Sequence, residues 1–530
     1  MINKVLTFIC AMFMFTVVVS PTTWASDVQC VEKDVSIYQW GYRHKQALPA
    51  ELAVEPNHIL ERCIKLIGIG KYPFTLKPDG YQLSVNGVRV KEGSTVQIND
   101  NDYMVIRTKS RPSPGTVKMV RLSFKETNPE MRREYYGFSW QIQTKNESLI
   151  PTVWEVGSDK QFKQVAEVTP KVKAGDIIIL NKGEQFEPFD IKNISGTAER
   201  PITLTSNAKL ASERPLITGA FDKYGWTVAV RHSHFWSFKN LEIANGRVCF
   251  RNEAHGTTLE DVFIHDCHIG VMGTDDSSGS LTILHSEVTR CGGKGDSKTW
   301  GHAIYVASDQ HAFPSATFTL INSYLHDNKG NNVKSRFERS YIKRNWIEGG
   351  EEQEARYLIE LIGYDGAYDF NLQKHQVLEN YLIHKATALG SRVGGDGNSP
   401  SRGVMLFSDN IFIVGENFDK SIVRTFQGLG EIILERNTIA YSKRSSELIL
   451  LVDEVENDGW VKETPSIKVR ENVLSKSIVP VRTLSGNVYE THHEISIKDN
   501  FMFPPLILTP GFLEENSPQT ETYIPTISLH

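Results

Sequence analysis

The stretch Leu434-Glu-Arg-Asn-Thr-Ile439 decides the fold, because variants of it recur along most of the chain. Each variant combines alternating apolar residues with an asparagine, or a substitute for it, near its centre. The spacing between variants drifts between roughly twenty and thirty-five residues, which is typical of stacked coils with loops of variable length. The other variants are Phe238-Lys-Asn-Leu-Glu-Ile243, Leu259-Glu-Asp-Val-Phe-Ile264, Leu284-His-Ser-Glu-Val288, Leu320-Ile-Asn-Ser-Tyr-Leu325, Ile342-Lys-Arg-Asn-Trp-Ile347, Leu378-Glu-Asn-Tyr-Leu-Ile383, Val469-Arg-Glu-Asn-Val-Leu474 and Ile497-Lys-Asp-Asn-Phe-Met502.

The repeated asparagine has a physical reason in a coil of β-strands. Each coil turns sharply between strands, and asparagine tolerates the left-handed backbone while bonding its own neighbours. Stacked coils place these side chains in a ladder at the strand spacing of about 4.8 Å. Because the apolar period is two, helical solenoids are disfavoured. The sequence therefore predicts an all-β protein whose main body, residues 171–505, is a right-handed single-stranded parallel β-helix.

A different rhythm precedes this body. Residues 26–145 alternate strictly between apolar and polar residues across short segments separated by turns, as in Asp102-Tyr-Met-Val-Ile-Arg107. This pattern predicts antiparallel sheets packed face to face. With Leu83-Ser-Val-Asn-Gly-Val88 and Phe138-Ser-Trp-Gln-Ile-Gln-Thr144, the region resembles small Ig-like modules of bacterial surface proteins. The resemblance implies an Ig-like β-sandwich that acts as a spacer or carbohydrate-facing module, followed by a linker over residues 146–170.

The first residues have the features of a secretory signal. Lys4 supplies a positive start, an apolar run extends from Val5 to Val19, and Thr23-Trp24-Ala25 offers a cleavage site. We expect cleavage after Ala25 and a periplasmic or secreted product with no membrane span, since no other segment is apolar for long enough. Residues 506–530 are expected to form a C-terminal tail, and the protein is expected to be a monomer.

Charge and cysteine content narrow the partners and the chemistry. The formal net charge of −5 argues against nucleic-acid binding, which needs a basic face. Cys30 and Cys63 are predicted to form a disulfide in an oxidising compartment. Cys249, Cys267 and Cys291 recur at about the length of one coil and are expected to be buried, stacked cysteines. No cysteine or histidine grouping has metal-binding spacing.

A family resemblance follows from the opening of the helical region. Ala174-Gly-Asp-Ile-Ile-Ile-Leu180 and Ile194-Ser-Gly-Thr-Ala-Glu-Arg-Pro-Ile-Thr-Leu204 resemble the start of polysaccharide lyases of the alginate lyase and chondroitinase B type. The resemblance implies a pectate-lyase-like β-helix whose substrate, an acidic polysaccharide, lies across the sheet built from the strand after each asparagine motif. Lys334-Ser335 matches the Lys-Ser pair of that family, which implies that Lys334 is the catalytic base.

Strand alternation then predicts which side chains share the substrate face. If Val248, Val271, Ile304, Val333 and Ile359 point inward, the following residues point outward along one line. That line is Cys249, Met272, Tyr305, Lys334 and Glu360. It suits β-elimination from a uronate, which needs a base at C5, a cation or donor at the carboxylate and an acid for the C4 oxygen.

Roles for neighbouring side chains complete the hypothesis. Arg336 or Asn332 would hold the substrate carboxylate, and Tyr305 or His302 would protonate the leaving group. Glu360 would bind a sugar hydroxyl, hold Lys334 or join a cation site. Asn331 and Tyr364 are further substrate-binding candidates.

Two departures from the family pattern bear on cofactors. The family places an arginine in the coil after the lysine, where this chain has Glu360. Its calcium-binding carboxylates before the lysine are replaced here by Gly330, Asn331 and Asn332. The sequence therefore predicts no recognisable cofactor, and a calcium requirement stays open without identifiable ligands.

The preferred function is a lyase acting on a uronate-containing polysaccharide. A non-catalytic carbohydrate-binding or cell-surface protein is the alternative from another class, because outward Lys, Glu and Tyr on adjacent strands also form ordinary solvated pairs. A uronate C5-epimerase, which shares the proton-abstraction step, and a glycoside hydrolase remain further alternatives. The insertion 387–402, rich in Gly, Ser and Arg, is expected either to cover the cleft or to be only a loose loop.

Overall fold

The computed structural model describes a large part of the chain in segments. These are residues 46–65, 74–76, 78–91, 93–126, 136–145, 150–221, 225–293, 301–349, 357–362, 373–385, 390–395, 401–415, 421–425, 429–441, 447–451, 466–475, 479–483 and 494–503. The predicted signal peptide, Cys30, Tyr364 and the predicted C-terminal tail lie outside them. Among the described residues, no helix has both the length and the apolar character needed to cross a membrane.

Two small sheets form the N-terminal region, as the alternation predicts. In the strand Tyr103–Lys109, Met104, Ile106 and Thr108 are buried while the residues between them are not. The sheets share one core around Trp140. The strands are β1 Gln46–Val54, β2 Ile59–Lys65, β3 Phe74–Leu76, β4 Gln82–Val85, β5 Val88–Arg89, β6 Val96–Ile98, β7 Tyr103–Lys109, β8 Val117–Glu126 and β9 Tyr136–Thr144.

The strand order of these sheets is β1-β9-β8-β3-β6 and β2-β7-β4-β5. All pairings are antiparallel except that of β1 with β9, which is parallel. The region is therefore a two-layer β-sandwich. Its assignment to the Ig-like class stays a prediction.

The remaining strands stack in parallel, and this pairing confirms the predicted right-handed parallel β-helix of the pectate-lyase-like kind. One continuous core of aliphatic and aromatic residues runs through the stack. An 11-stranded sheet, here called the site sheet, covers one side. It consists of β13 Phe189–Lys192, β16 Trp226–Arg231, β18 Val248–Glu253, β20 Ile269–Gly273, β23 His302–Ala307, β26 Val333–Arg336, β29 Ile359–Ile362, β32 Ser391–Gly394, β35 Val423–Thr425, β38 Glu447–Leu451 and β41 Val479–Thr483.

A 23-stranded sheet that bends within each coil forms the rest of the wall. It consists of β10 Val153–Val156, β11 Ile177–Leu180, β12 Gln185–Phe186, β14 Ile202–Ser206, β15 Leu216–Thr218, β17 Trp236–Ala244, β19 Thr257–His265, β21 Leu281–Leu284, β22 Glu287–Thr289, β24 Thr317–Ile321, β25 Tyr324–His326, β27 Arg339–Lys343, β28 Trp346–Glu348, β30 Lys374–Leu378, β31 Tyr381–His384, β33 Ser401–Ser408, β34 Ile411–Val414, β36 Leu429–Glu435, β37 Thr438–Tyr441, β39 Ser466–Arg470, β40 Val473–Ser475, β42 Glu494–Lys498 and β43 Phe501–Phe503.

The bends of this sheet hold the predicted asparagine ladder. Six asparagines lie in successive coils, and the amide of each of the first five donates to the side-chain oxygen of the next at 2.9–3.0 Å. All six amides also donate to a backbone carbonyl of the preceding coil, so both donors of the first five are used. The ladder consists of Asn345, Asn380, Asn410, Asn437, Asn472 and Asn500.

The predicted left-handed conformation is right for Asn240 and Asn322 but wrong for the ladder itself. In the six ladder coils the residue before the asparagine has φ between 52° and 59°. The residue before each ladder asparagine thus makes the turn, and the asparagine makes the hydrogen bonds. This division arises because the asparagine side chain must point along the stack. The left-handed residues are Arg344, Glu379, Asp409, Arg436, Glu471 and Asp499.

The predicted linker is partly wrong, because the β-helix begins within it. Strand β10 pairs in parallel with β11, so it is the first strand of the wall. Helix α1, Val165–Val168, then places Val165 and Val168 in the core at this end. Two short 3₁₀ turns, Thr169–Lys171 and Ala211–Glu213, complete the helical segments of the described residues.

The sandwich contacts the β-helix directly through backbone and side-chain bonds. Ala50 N donates to Ala312 O at 2.8 Å, and the Gln143 amide donates to Gly196 O at 2.7 Å. Thr116 forms an isolated bridge with Ile194. These contacts involve loops that follow site-sheet strands, so the sandwich borders the β-helix on that side.

The three cysteines of the β-helix are buried, as predicted. Cys249, Cys267 and Cys291 all have 0% exposure. Cys249 and Cys267 form a disulfide between adjacent coils, which the sequence did not predict. Cys63 is disulfide-bonded, and since Cys30 lies outside the described residues, their pairing stays a prediction.

Candidate active site

Backbone pairing in the site sheet aligns one outward residue from each of several coils. Met272 pairs with Tyr305, Tyr305 with Lys334, and Lys334 with Glu360. Adjacent members are therefore one strand spacing apart, about 4.8 Å along the stack. The register that the sequence predicted for these four residues is confirmed.

The inward neighbours explain why this register forms. Val271, Ile304, Val333 and Ile359 are fully buried in the core of the β-helix. A shift by one residue would turn these apolar side chains outward, so burial fixes the outward row.

The first coil of the predicted row is wrong by two residues. Phe250, rather than Val248, pairs with Val271, so the residue beside Met272 is Arg251. Cys249 points into the core, where its disulfide lies. The larger Phe250 ring fills the interior at this coil.

Two further arginines continue the row beyond the predicted residues. Glu360 pairs with Arg392 of β32, and Arg392 pairs with Arg424 of β35. Strand β32 lies within 387–402, so the expectation of a loop there is wrong over residues 391–394. We call the six residues the site column: Met272, Tyr305, Lys334, Glu360, Arg392 and Arg424.

Glu360 lies at the centre of the polar contacts in this column. One carboxylate oxygen, Oε2, lies 3.3 Å from Lys334 Nζ and accepts a hydrogen bond from Asn331 Nδ2 at 2.5 Å. The other oxygen, Oε1, accepts from Arg392 Nη1 at 2.5 Å. The Glu360 side chain is only 4% exposed, so the two cations offset the cost of burying its charge.

The Lys334 side chain is more exposed to solvent than that of Glu360. Its side chain is 15% exposed, and Nζ lies 5.1 Å from the centroid of the Tyr305 ring. Tyr305 is half-buried, and its hydroxyl accepts a hydrogen bond from Arg336 Nε at 3.3 Å. Amine, phenol and guanidinium therefore surround one patch of the outer face.

His302 and Asn331 support this patch from the side. The backbone N–H of Asn331 donates to His302 Nδ1 at 3.2 Å, and the His302 ring meets the Tyr305 ring edge-on at 5.4 Å. Asn331 Oδ1 also accepts from Tyr357 N at 3.0 Å. The Tyr357 hydroxyl in turn accepts from Arg424 Nη1 at 3.4 Å, which links this support to the far end of the column.

Asn332 does not join the group. Its side-chain oxygen accepts from Asn328 at 2.8 Å, and its amide donates to Glu348 O at 2.6 Å. With 2% exposure, its polar atoms serve the turn before β26. Arg336, His302, Asn331, Tyr305, Lys334 and Glu360 are brought together, whereas the predicted Tyr364 lies outside the described residues.

Several cations lie in and beside the site column. Arg336 is on the same strand as Lys334, Arg392 lies two coils away and Arg424 lies three coils away. Across the residues the structure describes, no group of three or more His, Cys, Asp or Glu side chains is arranged to hold a metal ion. The predicted catalytic and binding roles themselves stay predictions.

Comparisons with known proteins add little beyond this geometry. No protein-family model matches the chain, and no curated protein matches it. Among solved structures, an alginate lyase from Paenibacillus sp. str. FPU-7 is similar at 15% identity and a TM-score of 0.37, over 66% of this chain and 99% of that one. The pectate lyase Pel9A is similar at 12% identity and a TM-score of 0.38, over 72% of this chain and 90% of that one.

A GH136 lacto-N-biosidase from Eubacterium ramulus is similar at 12% identity and a TM-score of 0.31, over 67% of this chain and 68% of that one. Identities and TM-scores this low give no argument about reaction or substrate. The assignment of the fold therefore stands on the strand pairing of the chain itself.

Proposed function

We propose that the protein binds an acidic polysaccharide along the outer face of the site sheet and cleaves it by β-elimination at a uronate residue. The observation that carries the proposal is the contact of Lys334 with both Tyr305 and Glu360 on that face, with Arg336 and Arg392 beside them. The reaction requires a base, an acid and a cation within reach of one sugar, and the column supplies these types.

In the proposed reaction, the C5–H bond of the uronate breaks and its proton passes to Lys334 Nζ in its amine form. The electron pair forms the C4=C5 double bond as the C4–O bond breaks. The leaving oxygen takes a proton from the Tyr305 hydroxyl, and solvent then returns Lys334 and Tyr305 to their starting forms. Each transfer is general acid–base catalysis by a positioned side chain.

The arginines supply the electrostatic stabilisation that this reaction needs. Removing the C5 proton delocalises negative charge onto the sugar carboxylate, and a fixed guanidinium stabilises that charge. Arg336 contacts the Tyr305 hydroxyl and Arg392 contacts Glu360, so both are held in place before substrate binds. Glu360 is a positioning residue, because it holds Lys334 and Arg392 one coil to either side.

The test measures the ultraviolet absorbance of new C4=C5 double bonds during incubation with alginate, pectate and glycosaminoglycans. We expect a signal with at least one polymer, and its loss in Lys334→Ala. Lys343→Ala is the matched control, since Lys343 is also a strand lysine paired with a glutamate but lies on the other sheet. An unchanged rate in Lys334→Ala would contradict the proposal.

Non-catalytic binding is a second candidate, favoured by one observation. Lys334 and Arg392 are already paired with Glu360, which is the arrangement of a fixed ionic surface. This candidate predicts retention of an acidic polymer on a glycan array with no double bonds formed. Epimerisation would instead change the uronate configuration without chain cleavage, and a hydrolase would release reducing ends without the absorbance.

We also propose that the mature protein lies in the periplasm or outside the cell. The N-terminal pattern ending at Thr23-Trp24-Ala25 supports this. The disulfide between Cys249 and Cys267 supports it too, because such bonds persist in oxidising compartments. N-terminal sequencing of the exported protein should begin at Ser26.

A further inference from the structure

A cavity lies in the N-terminal sandwich, away from the site column. It has a volume of about 370 Å³ and opens where β2, β4, β5, β7 and β8 come together. That volume is at the lower end of the range of about 300–1,000 Å³ that small-molecule sites occupy. The lining residues are Ile59, Pro78, Gly80, Tyr81, Gln82, Arg89, Val90, Arg107, Thr108, Lys109 and Lys118.

The charged groups in this lining are all positive. Arg89, Arg107, Lys109 and Lys118 line the cavity, and no carboxylate of the described residues does. Two carboxylates that are not part of the lining act on lining residues: Glu61 pairs with Arg107 at 3.0 Å, and the charge of Asp79 acts on Tyr81. The cavity therefore favours an anionic ligand.

Lys118 is the best-placed cation of the four. Its Nζ donates to Thr108 Oγ1 at 2.7 Å, Lys109 O at 3.0 Å and Gly80 O at 3.4 Å, which are all uncharged acceptors. Within the described residues it makes no ion pair, so these bonds fix the ammonium without neutralising it. Burial, with Arg111 nearby, lowers the pKa of Lys118, as expected for a cation short of compensating charge.

Tyr81 supplies an independent observation that points to a ligand. Its side chain lines the cavity, the residue is only 8% exposed, and its hydroxyl has no hydrogen-bond partner among the described residues. A buried hydroxyl left unpaired costs about 1–3 kcal/mol, so a bound group that bonds it would recover this free energy.

We propose that this cavity binds one acidic sugar residue of a polysaccharide, with its carboxylate at Lys118 and a sugar hydroxyl at Tyr81. The apolar Ile59, Pro78 and Val90 suit the face of a sugar ring rather than a small inorganic anion. The sandwich would then hold the polymer while the β-helix acts on it. This choice of ligand rests on the proposed function, which it deepens by giving the sandwich a binding role.

The experiment measures binding of oligogalacturonate and oligomannuronate to the full chain by calorimetry, in the Lys334→Ala background so that the ligand stays intact. We expect about fivefold weaker binding in Tyr81→Phe, because one neutral hydrogen bond is lost, and about tenfold or more in Lys118→Met, because the attraction of the fixed ammonium charge is lost. Lys91→Met, an exposed lysine outside the cavity, should bind normally. Cellotriose should not bind.

Tyr81→Phe separates binding from folding, because the hydroxyl it removes makes no described hydrogen bond and its melting temperature should not fall. Unchanged affinity in both Tyr81→Phe and Lys118→Met would overturn the proposal. Inorganic phosphate binding as tightly as the oligouronates, with no effect of Tyr81→Phe, would also overturn it. Because the Tyr81 and Lys118 variants report binding at the cavity and the Lys334 variant reports cleavage, either proposal can fail without the other.

Discussion

The asparagine ladder and the site column are built by the same stacking, yet their sequences differ. Every member of the ladder is asparagine, whereas the column changes from phenol to amine, carboxylate and guanidinium at successive coils. A ladder position must donate to one neighbour and accept from the other, and asparagine does both. The residues of the site column do not have to bond to one another in a repeating pattern, so their side chains can differ from coil to coil. Variation along a stacked row therefore indicates where functional groups can be placed.

The largest effect is expected at the middle of the ladder. Asn410→Ala removes two donated bonds, to Val377 O and Asn437, and two accepted bonds from Asn380. Each buried group left unpaired costs about 1–3 kcal/mol, so we expect a loss of about 3–5 kcal/mol in the free energy of unfolding, measured with urea. Asn500→Ala, at the half-exposed end of the ladder, should cost clearly less. Equal losses would show that the ladder does not act as a connected unit.

A somewhat smaller effect is expected in the site column. Glu360→Gln keeps the shape but leaves Lys334 and Arg392 without their shared anion, so we expect a loss of about 2–4 kcal/mol in stability. The lyase rate should fall with it, because both cations lose their position. The control is Glu379→Gln, whose ion pairs with Lys343 and Arg344 are more exposed and should contribute less than about 1 kcal/mol. If both variants lost equal stability, the column would be no more specialised than a surface pair.

The smallest effect on stability is expected at the buried His375, and it depends on pH. Burial lowers the pKa of His375 to about 4. Below about pH 6.5 the unfolded chain binds a proton that the folded chain cannot, so stability is lost as pH falls from 6.5 toward 4, by up to about 1.4 kcal/mol per pH unit. His375→Leu should reduce the fall in melting temperature between pH 6.5 and 5.

The exposed His58 provides the comparison for this measurement. A His58→Leu variant should keep the acid sensitivity of the wild type. An unchanged pH profile in His375→Leu would show that the sensitivity arises elsewhere, for example at the buried His384, whose pKa burial lowers to about 3.

The sequence predicts the site column correctly at the coils where the inward residues are aliphatic and similar in size. Val271, Ile304 and Val333 are aliphatic residues of similar size, so alternation from them places Tyr305 and Lys334 correctly. The prediction fails at Val248 because Val248 and Phe250 are both apolar at the same parity, and only packing decides which one lies above Val271.

Arg392 and Arg424 were not predicted, for a related reason. Ser391–Gly394 and Val423–Thr425 are four and three residues long, and each offers a single valine, Val393 or Val423, as the inward apolar residue of its alternation. Such segments do not differ from loops in composition. Counting one strand after every asparagine motif would have found β32, since Leu378-Glu-Asn-Tyr-Leu-Ile383 precedes it.

Helix α1 has a consequence for how molecules of this protein meet one another. A stack of parallel coils presents the same cross-section at any cut, so two bare ends could join and grow into a fibre. Val165 and Val168 plug the interior at the first coil, which removes the apolar surface that such a junction would bury. This end of the β-helix is thereby closed to the first coil of another copy, and lengthening the stack there would require α1 to move away.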